Sequence, residues 1–278
     1  MNNYNIYLSS TNDGLNTEGI GSMAQLQLFT YGLAKSLNIK YAFKGFVNLH
    51  HYQYHPEFTS NTWSDKFTDF FNLPNELNFN EPYDVLQINN INTLLSTISN
   101  IKNLEKNLVI SIIGSELVRL DISNLKKYLF EISDRIKHPF ILDQAYEHVS
   151  VHARVFTGTD NDPNRDYYTD NKKDFYKKLV KNIFDRFTEK PKKLHIHSQV
   201  AKENFSYLDE YEPNFYINAY PWESISCMIQ SNYLIGSASS FSYISHMLNK
   251  NKFFINKGFY HSLYDDCIIV DVNGNFKI

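Results

Sequence analysis

The sequence is poor in cysteine. Its 278 residues include two, Cys227 and Cys267, and neither belongs to a Cys-x-x-Cys pair or to a cluster with zinc-ligand spacing. We expect two free thiols in a reducing compartment. The sequence also lacks any run of about 18 apolar residues, the length of a membrane-spanning helix, and its first residues lack the basic and apolar stretches of a secretion signal. These absences predict a cytoplasmic protein, complete as given, without stable membrane insertion.

An excess of charge of either sign is missing as well. The chain carries 27 Lys and Arg against 30 Asp and Glu, which gives a formal net charge of -3. General nucleic-acid-binding proteins usually show a basic excess or a basic face, so we expect no nucleic-acid partner. Lysine greatly outnumbers arginine, and this gives each arginine more weight as a functional candidate.

What the sequence does have is an alternation of short apolar strands and amphipathic helices. The first half predicts strands and helices at 4–9, 23–37, 39–46, 108–113 and 123–136, with a glycine-containing loop at 12–22 and an irregular, aromatic stretch at 48–82. Strand-helix-strand units of this kind favour parallel sheets. The pattern restarts after Pro139. We therefore predict an α/β protein of two Rossmann-like halves, residues 1–145 and 146–278, with a cleft between them.

The second half repeats the alternation with shorter strands. It predicts strands at 149–154, 194–197, 215–218, 233–235 and 253–255. The helices between them are predicted at 174–187, 224–230 and 240–248. The candidate functional residues cluster where these strands end.

The strongest local signal is a run of small and hydroxyl residues between a strand and a helix. The strand at 233–235 is followed by Gly236, which allows close approach of a ligand. Free backbone N–H groups and the positive end of the helix dipole create an anion site at such a junction. Hydroxyl donors are available from Ser237, Ser239, Ser240 and Ser242. The run predicts a diphosphate site, although ordinary helix N-caps would give the same serines.

A second signal ends the strand at 149–154, where the sequence reads His152-Ala-Arg154. In open α/β sheets, ligands bind beyond the carboxyl ends of the strands. An arginine there can hold phosphate oxygens through two parallel hydrogen bonds. The alternative is a structural ion pair for Arg154 and a core position for His152.

Together these segments resemble the donor-binding half of the fucosyltransferase superfamily. The resemblance lies in Val149-Ser-Val-His-Ala-Arg154, in the strand that ends at Ser198, and in Ser231-Asn-Tyr-Leu-Ile-Gly-Ser-Ala-Ser-Ser-Phe-Ser242. Glu18-Gly-Ile-Gly-Ser-Met-Ala-Gln25 also resembles the glycine loop that opens these enzymes. The resemblance implies a GT-B-type fold and an inverting, metal-independent transferase that takes fucose from GDP-fucose and passes it to a glycan hydroxyl.

The resemblance assigns roles to particular residues. Arg154 would bind the donor's β-phosphate and neutralise the leaving nucleotide. The donor-binding set is His152, Arg154, Ser198, Gly236, Ser237, Ser239, Ser240, Phe241 and Ser242, with Gly19 and Gly21 from the glycine loop. Glu18 is the first candidate for the base that takes the acceptor proton, because we expect its loop to face the donor across the cleft. Asp160 and Glu116 are weaker candidates.

No metal or cofactor is predicted. Asp160-Asn-Asp162 has the spacing of a metal-binding pair, but it precedes Pro163 in an expected loop. His50, His51 and His55, like His195 and His197, have no further ligand in view. The aromatic residues in 50–71 predict either an acceptor surface for sugar rings or a small core under a long loop.

The sequence departs from the superfamily after Arg154. It reads Val155-Phe-Thr-Gly-Thr-Asp160 where many members have Arg-Gly-Asp, and Gln199 stands where an acidic residue is common. Two alternatives therefore stay open. The chain is a transferase that uses another nucleotide sugar, or it is a non-catalytic protein that binds a nucleotide or a glycan.

Overall fold

The computed structural model describes residues 5–11, 19–117, 120–154, 173–256 and 261–277. The chain forms two compact units. The first unit ends at Lys137 and includes the short segment His261–Tyr264, and the second begins at His138. Both are built from parallel strands and helices, so the prediction of an α/β protein with two Rossmann-like halves is confirmed. Within the described ranges, no helix is long and apolar enough to cross a membrane.

In its described residues, the first unit contains four strands and five α-helices. The strands are β1 (Ile6–Thr11), β2 (Lys40–Tyr41), β3 (Tyr83–Ile88) and β4 (Asn107–Ile113). They pair in parallel in the order β2-β1-β4-β3. The helices are α1 (Ile20–Ser36), α2 (Ser60–Phe71), α3 (Leu94–Asn100), α4 (Gly114–Leu117) and α5 (Lys126–Ser133).

The strand predicted at 39–46 is much shorter than expected, because β2 covers only Lys40–Tyr41. The Ala42 N–H still donates to the Leu8 carbonyl of β1 over 2.9 Å. Beyond Ala42, side chains bond the backbone rather than a neighbouring strand. The Phe43 N–H donates to Asn75 Oδ1 over 3.2 Å. The Phe46 N–H donates to Thr68 Oγ1 over 2.9 Å. These side-chain acceptors satisfy the backbone donors that a strand ladder would otherwise use.

The stretch predicted to be irregular contains helix α2. Thr59 caps it, since the Thr59 hydroxyl accepts from the Thr62 N–H and the Thr62 side chain accepts from the Thr59 N–H. The helix then buries one side, which carries Trp63, Phe67, Phe70 and Phe71. All four aromatic side chains between 60 and 71 are therefore core rather than surface.

The described part of the second unit contains six strands and three α-helices. The strands are β5 (Glu147–His152), β6 (Lys192–Ser198), β7 (Asn214–Ile217), β8 (Tyr233–Ile235), β9 (Lys252–Asn256) and β10 (Ile268–Val270). The α-helices are α6 (Lys173–Arg186), α7 (Pro221–Gln230) and α8 (Ser240–Leu248), and a 3-10 helix covers Lys202–Tyr211.

All six strands of the second unit pair in parallel, in the order β10-β9-β8-β5-β6-β7. If β5 to β10 are numbered 1 to 6 and the sheet is read from β7 to β10, the strand order is 3-2-1-4-5-6. This is the strand order of dinucleotide-binding Rossmann folds. The order reverses between β5 and β8. In such sheets a ligand binds beyond the carboxyl ends of the strands at this reversal.

The two faces of this sheet differ in chemistry. One face buries apolar side chains such as Val149, Val151 and Leu194, which pack in one cluster with α6. The other face buries polar side chains at alternating positions, namely His148, Ser150 and His152 on β5 and His195 and His197 on β6. Helix α7 contacts this second face, because Cys227 and Ser231 lie against Ser150.

Candidate functional site

The two segments singled out in the sequence meet at the point where the strand order reverses. Val151 on β5 pairs with Ile235 on β8. His152 ends β5 one residue later, and Gly236 follows β8. Because parallel strands end at the same edge of a sheet, the residues that follow β5 and β8 are neighbours. This is the edge at which an open α/β sheet binds its ligand.

Helix α8 begins at this edge with an N-terminus suited to an anion. Its N-cap residue is Ser239, whose hydroxyl accepts from the Phe241 N–H over 3.2 Å. No acidic residue stands in the first turn. The helix dipole places partial positive charge at this end, together with backbone N–H groups that have no partner within the helix.

Arg154 brings a full positive charge to the same place. Its Nη1 donates to the Ser239 hydroxyl over 3.3 Å, and its side chain is half-buried. Both the guanidinium and the positive end of the helix attract negatively charged groups. The arrangement therefore favours a ligand with negatively charged oxygens, such as a diphosphate.

His152 contacts the loop between β8 and α8 through two serine hydroxyls. Its Nδ1 lies 2.5 Å from the Ser242 hydroxyl and 3.0 Å from the Ser237 hydroxyl. The Ser242 hydroxyl also accepts from the Ser237 N–H over 3.1 Å. Burial, with the charge of Arg154 as the smaller cause, lowers the pKa of His152 to about 3. A neutral imidazole is therefore part of the loop's scaffold at neutral pH.

Packing within the second unit favours glycine at position 236, in addition to the predicted close approach of a ligand. A Cβ built on Gly236 would lie 2.5 Å from two ring atoms of Phe253, so any side chain here would force the buried Phe253 ring to move. Ser240 and Phe241 are half-buried at the start of α8. The Phe241 ring lies 5.2 Å from the His152 ring.

Ser198 lies under the turn that carries Arg154. The Ser198 hydroxyl donates to the Ala153 carbonyl over 2.7 Å, and it accepts from the Val200 N–H over 3.4 Å. Both Ser198 and Ala153 are buried. The predicted donor-binding serine thus fastens the end of β6 to the backbone immediately before Arg154.

The glycine-loop residues belong to the first unit. Gly19 is the N-cap of α1 and makes no side-chain cap bond. A Cβ built on Gly19 would lie 3.1 Å from His51 Nε2. Gly21 is buried in the first turn of α1. Glu18 lies outside the described residues, as do Asp160 and the rest of the 155–172 segment.

Among the weaker candidates for the base, Glu116 lies in α4. One of its carboxylate oxygens accepts from the Ile91 N–H over 3.2 Å. This bond ties α4 to the loop after β3. In the part of the chain that the structure describes, no group of three or more His, Cys, Asp and Glu could hold a metal ion.

The polar face beneath the site was not foreseen as a unit. The His148 Nε2–H can only donate to the Asp143 carbonyl, 2.9 Å away, so the Nδ1 of neutral His148 accepts. His195 Nε2, 2.8 Å from that Nδ1, must then carry the proton. His195 Nδ1 is left as a buried acceptor without a hydrogen-bond partner.

A second chain of hydrogen bonds fixes His197 in the same way. The Ser231 hydroxyl donates to the Cys227 carbonyl over 2.8 Å, so it accepts from the Ser150 hydroxyl, 2.7 Å away. Ser150 can then only accept from His197 Nε2–H over 3.3 Å. The signal in the sequence was the repetition of polar residues at every second position, His-x-Ser-x-His in β5 and His-x-His in β6.

Comparisons with known proteins give a likeness of fold. No protein-family model matches the sequence. No curated protein sequence matches it either. Among solved structures, POFUT1 in complex with GDP matches 88% of this chain and 94% of its own, at 12% identity and a TM-score of 0.45.

A second group of matching structures is bacterial. NodZ alpha-1,6-fucosyltransferase co-crystallized with GDP matches 99% of this chain and 97% of its own, at 10% identity and a TM-score of 0.45. The selenomethionine form of the fucosyltransferase NodZ from Bradyrhizobium gives the same identity and TM-score over 99% and 98%. These are fucosyltransferases, the kind of protein that the motifs resemble. A likeness this distant assigns no residue role.

Proposed function

We propose that this protein is an inverting, metal-independent glycosyltransferase that transfers fucose from GDP-fucose to a hydroxyl of a glycan. The observation that carries the proposal is the meeting of Arg154 with the N-terminus of α8 where the strand order of the second unit reverses. The site offers a guanidinium, backbone N–H groups and hydroxyls within one loop. These are the groups that a nucleoside diphosphate needs.

The chemical step follows from where charge develops. The acceptor hydroxyl oxygen forms a bond to the anomeric carbon while the bond from that carbon to the β-phosphate oxygen breaks, so GDP leaves with the electron pair. The departing phosphate gains negative charge. Arg154 and the α8 N-terminus are preorganised to stabilise that charge.

The acceptor proton needs a base, and Glu18 remains our candidate for it. In this proposal the Glu18 carboxylate takes the proton as the new glycosidic bond forms, and the inverted sugar leaves with the acceptor. Asp160 is the alternative. Glu116 is less suited, since the Ile91 N–H already binds its carboxylate.

The choice of guanine and fucose rests on the sequence motifs alone. Thermal-shift and calorimetric titrations with GDP, UDP, CMP and their sugars test it, because a ligand that binds only the folded state raises the melting temperature. We expect GDP and GDP-fucose to give the largest shifts. A larger shift with a UDP or CMP compound would reassign the donor.

Turnover separates catalysis from binding. We expect the protein to release GDP from GDP-fucose, and to do so equally fast after treatment with EDTA. Loss of turnover in EDTA, with recovery on addition of Mn²⁺ or Mg²⁺, would contradict the metal-free step. Tight GDP binding with no release of GDP under any condition would identify the protein as a non-catalytic binder.

A further inference from the structure

One aromatic side chain stands apart from all the others that the structure describes. The chain has 20 Tyr, 21 Phe and 2 Trp. Within the described ranges these rings are buried or half-buried, except for Tyr54, which is 66% exposed. Burying such a ring is favourable, so a fold that covers its other rings leaves this one uncovered against the general trend.

Tyr54 does not stand alone on the surface. Its ring lies nearly parallel to the exposed imidazole of His51, with centroids 5.8 Å apart and an angle of 17° between the planes. We call these two side chains the ring platform. His51 has a φ of 77°, in the left-handed region that a non-glycine residue seldom adopts. Such a conformation persists only where the surroundings hold it.

The segment that carries the ring platform is fastened to the core of the first unit. The indole of Trp63, which is buried in α2, donates from Nε1 to the His50 carbonyl over 3.0 Å. On the other side of the platform, the His55 ring stacks on Trp63 at 5.0 Å. Both ends of the turn are therefore anchored to one buried side chain, and the two exposed rings are held in a fixed orientation.

We propose that the ring platform binds a pyranose ring of a glycan, and this rests on the proposed function, which requires a glycan acceptor. A sugar in the chair form presents a face of C–H groups that packs against an aromatic ring. The hydroxyl of Tyr54 stands at the edge of its ring, where it can hydrogen-bond the sugar hydroxyls. β-linked glucose-type sugars fit best, because their C–H groups point to the two faces of the ring.

A protein partner fits this surface less well. Protein interfaces are built around contiguous apolar patches of several hundred Å². In the segment 47–58, the other exposed large apolar side chain is Val47. One exposed tyrosine ring with a hydroxyl at its edge, backed by the stacked His51 ring, is sufficient for one or two sugar units.

Saturation-transfer NMR on the full chain tests the inference directly, with millimolar chitotriose, cellotriose and maltotriose as probes. We expect transfer to the ring C–H protons of chitotriose or cellotriose. Tyr54→Ala should weaken that binding about tenfold, because the stacking surface is lost. Tyr54→Phe keeps the ring and should bind within a few-fold of the wild type.

The matched control is Leu95→Ala, which removes another exposed apolar side chain of the first unit, 62% exposed in α3. It should bind the sugars as the wild type does. Tyr54→Ala and Leu95→Ala should both keep the wild-type melting temperature, because neither side chain is buried. No transfer to any of the three sugars, or equal transfer in Tyr54→Ala and wild type, would overturn the inference.

GDP titrations of the same variants keep this test apart from the proposed function. GDP binding that is unchanged in Tyr54→Ala, together with lost sugar binding, supports both proposals. Sugar binding that depends on Tyr54 in a protein that does not bind GDP supports the ring platform and refutes the donor site.

Discussion

The two units bury their interiors with different chemistry. The first unit packs aromatic rings, with Trp63 and Phe67 at 5.2 Å and Phe46 and Phe71 at 5.6 Å. The second unit buries imidazoles and hydroxyls on one face of its strands β5 and β6. Packed aromatic rings are stabilised by van der Waals contact alone, whereas each buried polar group needs a hydrogen-bond partner. We therefore expect the stability of the second unit to depend more steeply on protonation than that of the first.

This difference has a functional meaning. The polar face of the second unit leads to His152, which fixes the loop that Arg154 and α8 share. A purely apolar face could not hold the Ser237 and Ser242 hydroxyls in place. These polar contacts hold the loop of the candidate site in place, and they make the fold depend on neutral histidines.

The largest expected effect is acid unfolding of the second unit. Burial lowers the pKa of His195 to about 3, as for His152, and that of His197 lies well below its usual range. The neighbouring charges, which are those of His148 and Lys193 for His195 and that of Arg154 for His152, lower the pKa of each group further. Since these folded-state values lie below the unfolded value of about 6.5, stability is complete above that pH and falls as the pH drops.

Each such histidine removes about 1.4 kcal/mol of stability per pH unit, so three together remove about 4 kcal/mol per unit. A domain that is stable by about 5–15 kcal/mol should then unfold a few pH units below neutrality. In the described part of the first unit, His261 is the histidine with a clearly lowered pKa, to about 4. We expect the first unit to lose stability much less steeply.

The chain provides a reporter for each unit, because its two tryptophans are Trp63 and Trp222. Fluorescence of Trp63→Phe follows the second unit, and that of Trp222→Phe follows the first. We expect the Trp222 signal to change at higher pH than the Trp63 signal. Equal pH midpoints for the two tryptophan signals would contradict the comparison. His197→Gln should reduce the number of protons that the second unit takes up on acid unfolding by about one, which makes its stability less dependent on pH.

The next largest effect is expected from Arg154→Ala. Removing a preorganised donor to a developing charge costs roughly 3–4 kcal/mol, or about 10²–10³ in rate. Arg154 is half-buried at the rim, so the melting temperature should change little. Lysine should replace it poorly, since it cannot donate two parallel hydrogen bonds. Transfer rate, GDP affinity and melting temperature are measured on one preparation.

Arg186 is the matched control, because it is an arginine of the same unit with a structural role. It donates to the Phe276 carbonyl over 3.0 Å, and its guanidinium lies over the Phe276 ring. Arg186→Ala should lower stability and leave the transfer rate within a few-fold. If the two variants behave alike, the polar site of the second unit has no special role for Arg154.

The sequence predicted the alternation of strands and helices and the two segments around the candidate site, since these depend on local periodicity and on short motifs. The sequence analysis did not predict strand β3. Asp84, Val85, Leu86 and Gln87 are all exposed, so this edge strand has no alternation to reveal it. Helix α2 was not predicted either, because its aromatic residues were assigned to the irregular stretch at 48–82.

The polar face could not be derived from the sequence for a different reason. His152 pairs with His197, which is 45 positions later in the chain, and only the strand register brings them together. The protonated nitrogen of each imidazole then follows from the Asp143 and Cys227 carbonyls. Local patterns carry no information on such long-range partners. The role of Glu18 stays a prediction.

The smallest effect is expected from Ser198→Ala, and it tests whether a polar contact that never reaches the ligand still positions the site. The change removes the hydroxyl that donates to the Ala153 carbonyl and leaves that buried carbonyl short of a partner. This costs about 1–3 kcal/mol of stability. Because Ala153 directly precedes Arg154, we also expect a loss in transfer rate below that of Arg154→Ala, with GDP affinity reduced in parallel. Ser198→Thr keeps a hydroxyl and should recover most of both, whereas the exposed Ser206→Ala should change neither. A purely structural role for Ser198 predicts lower stability with an unchanged rate below the melting temperature, so the rate of the folded variant decides between the two.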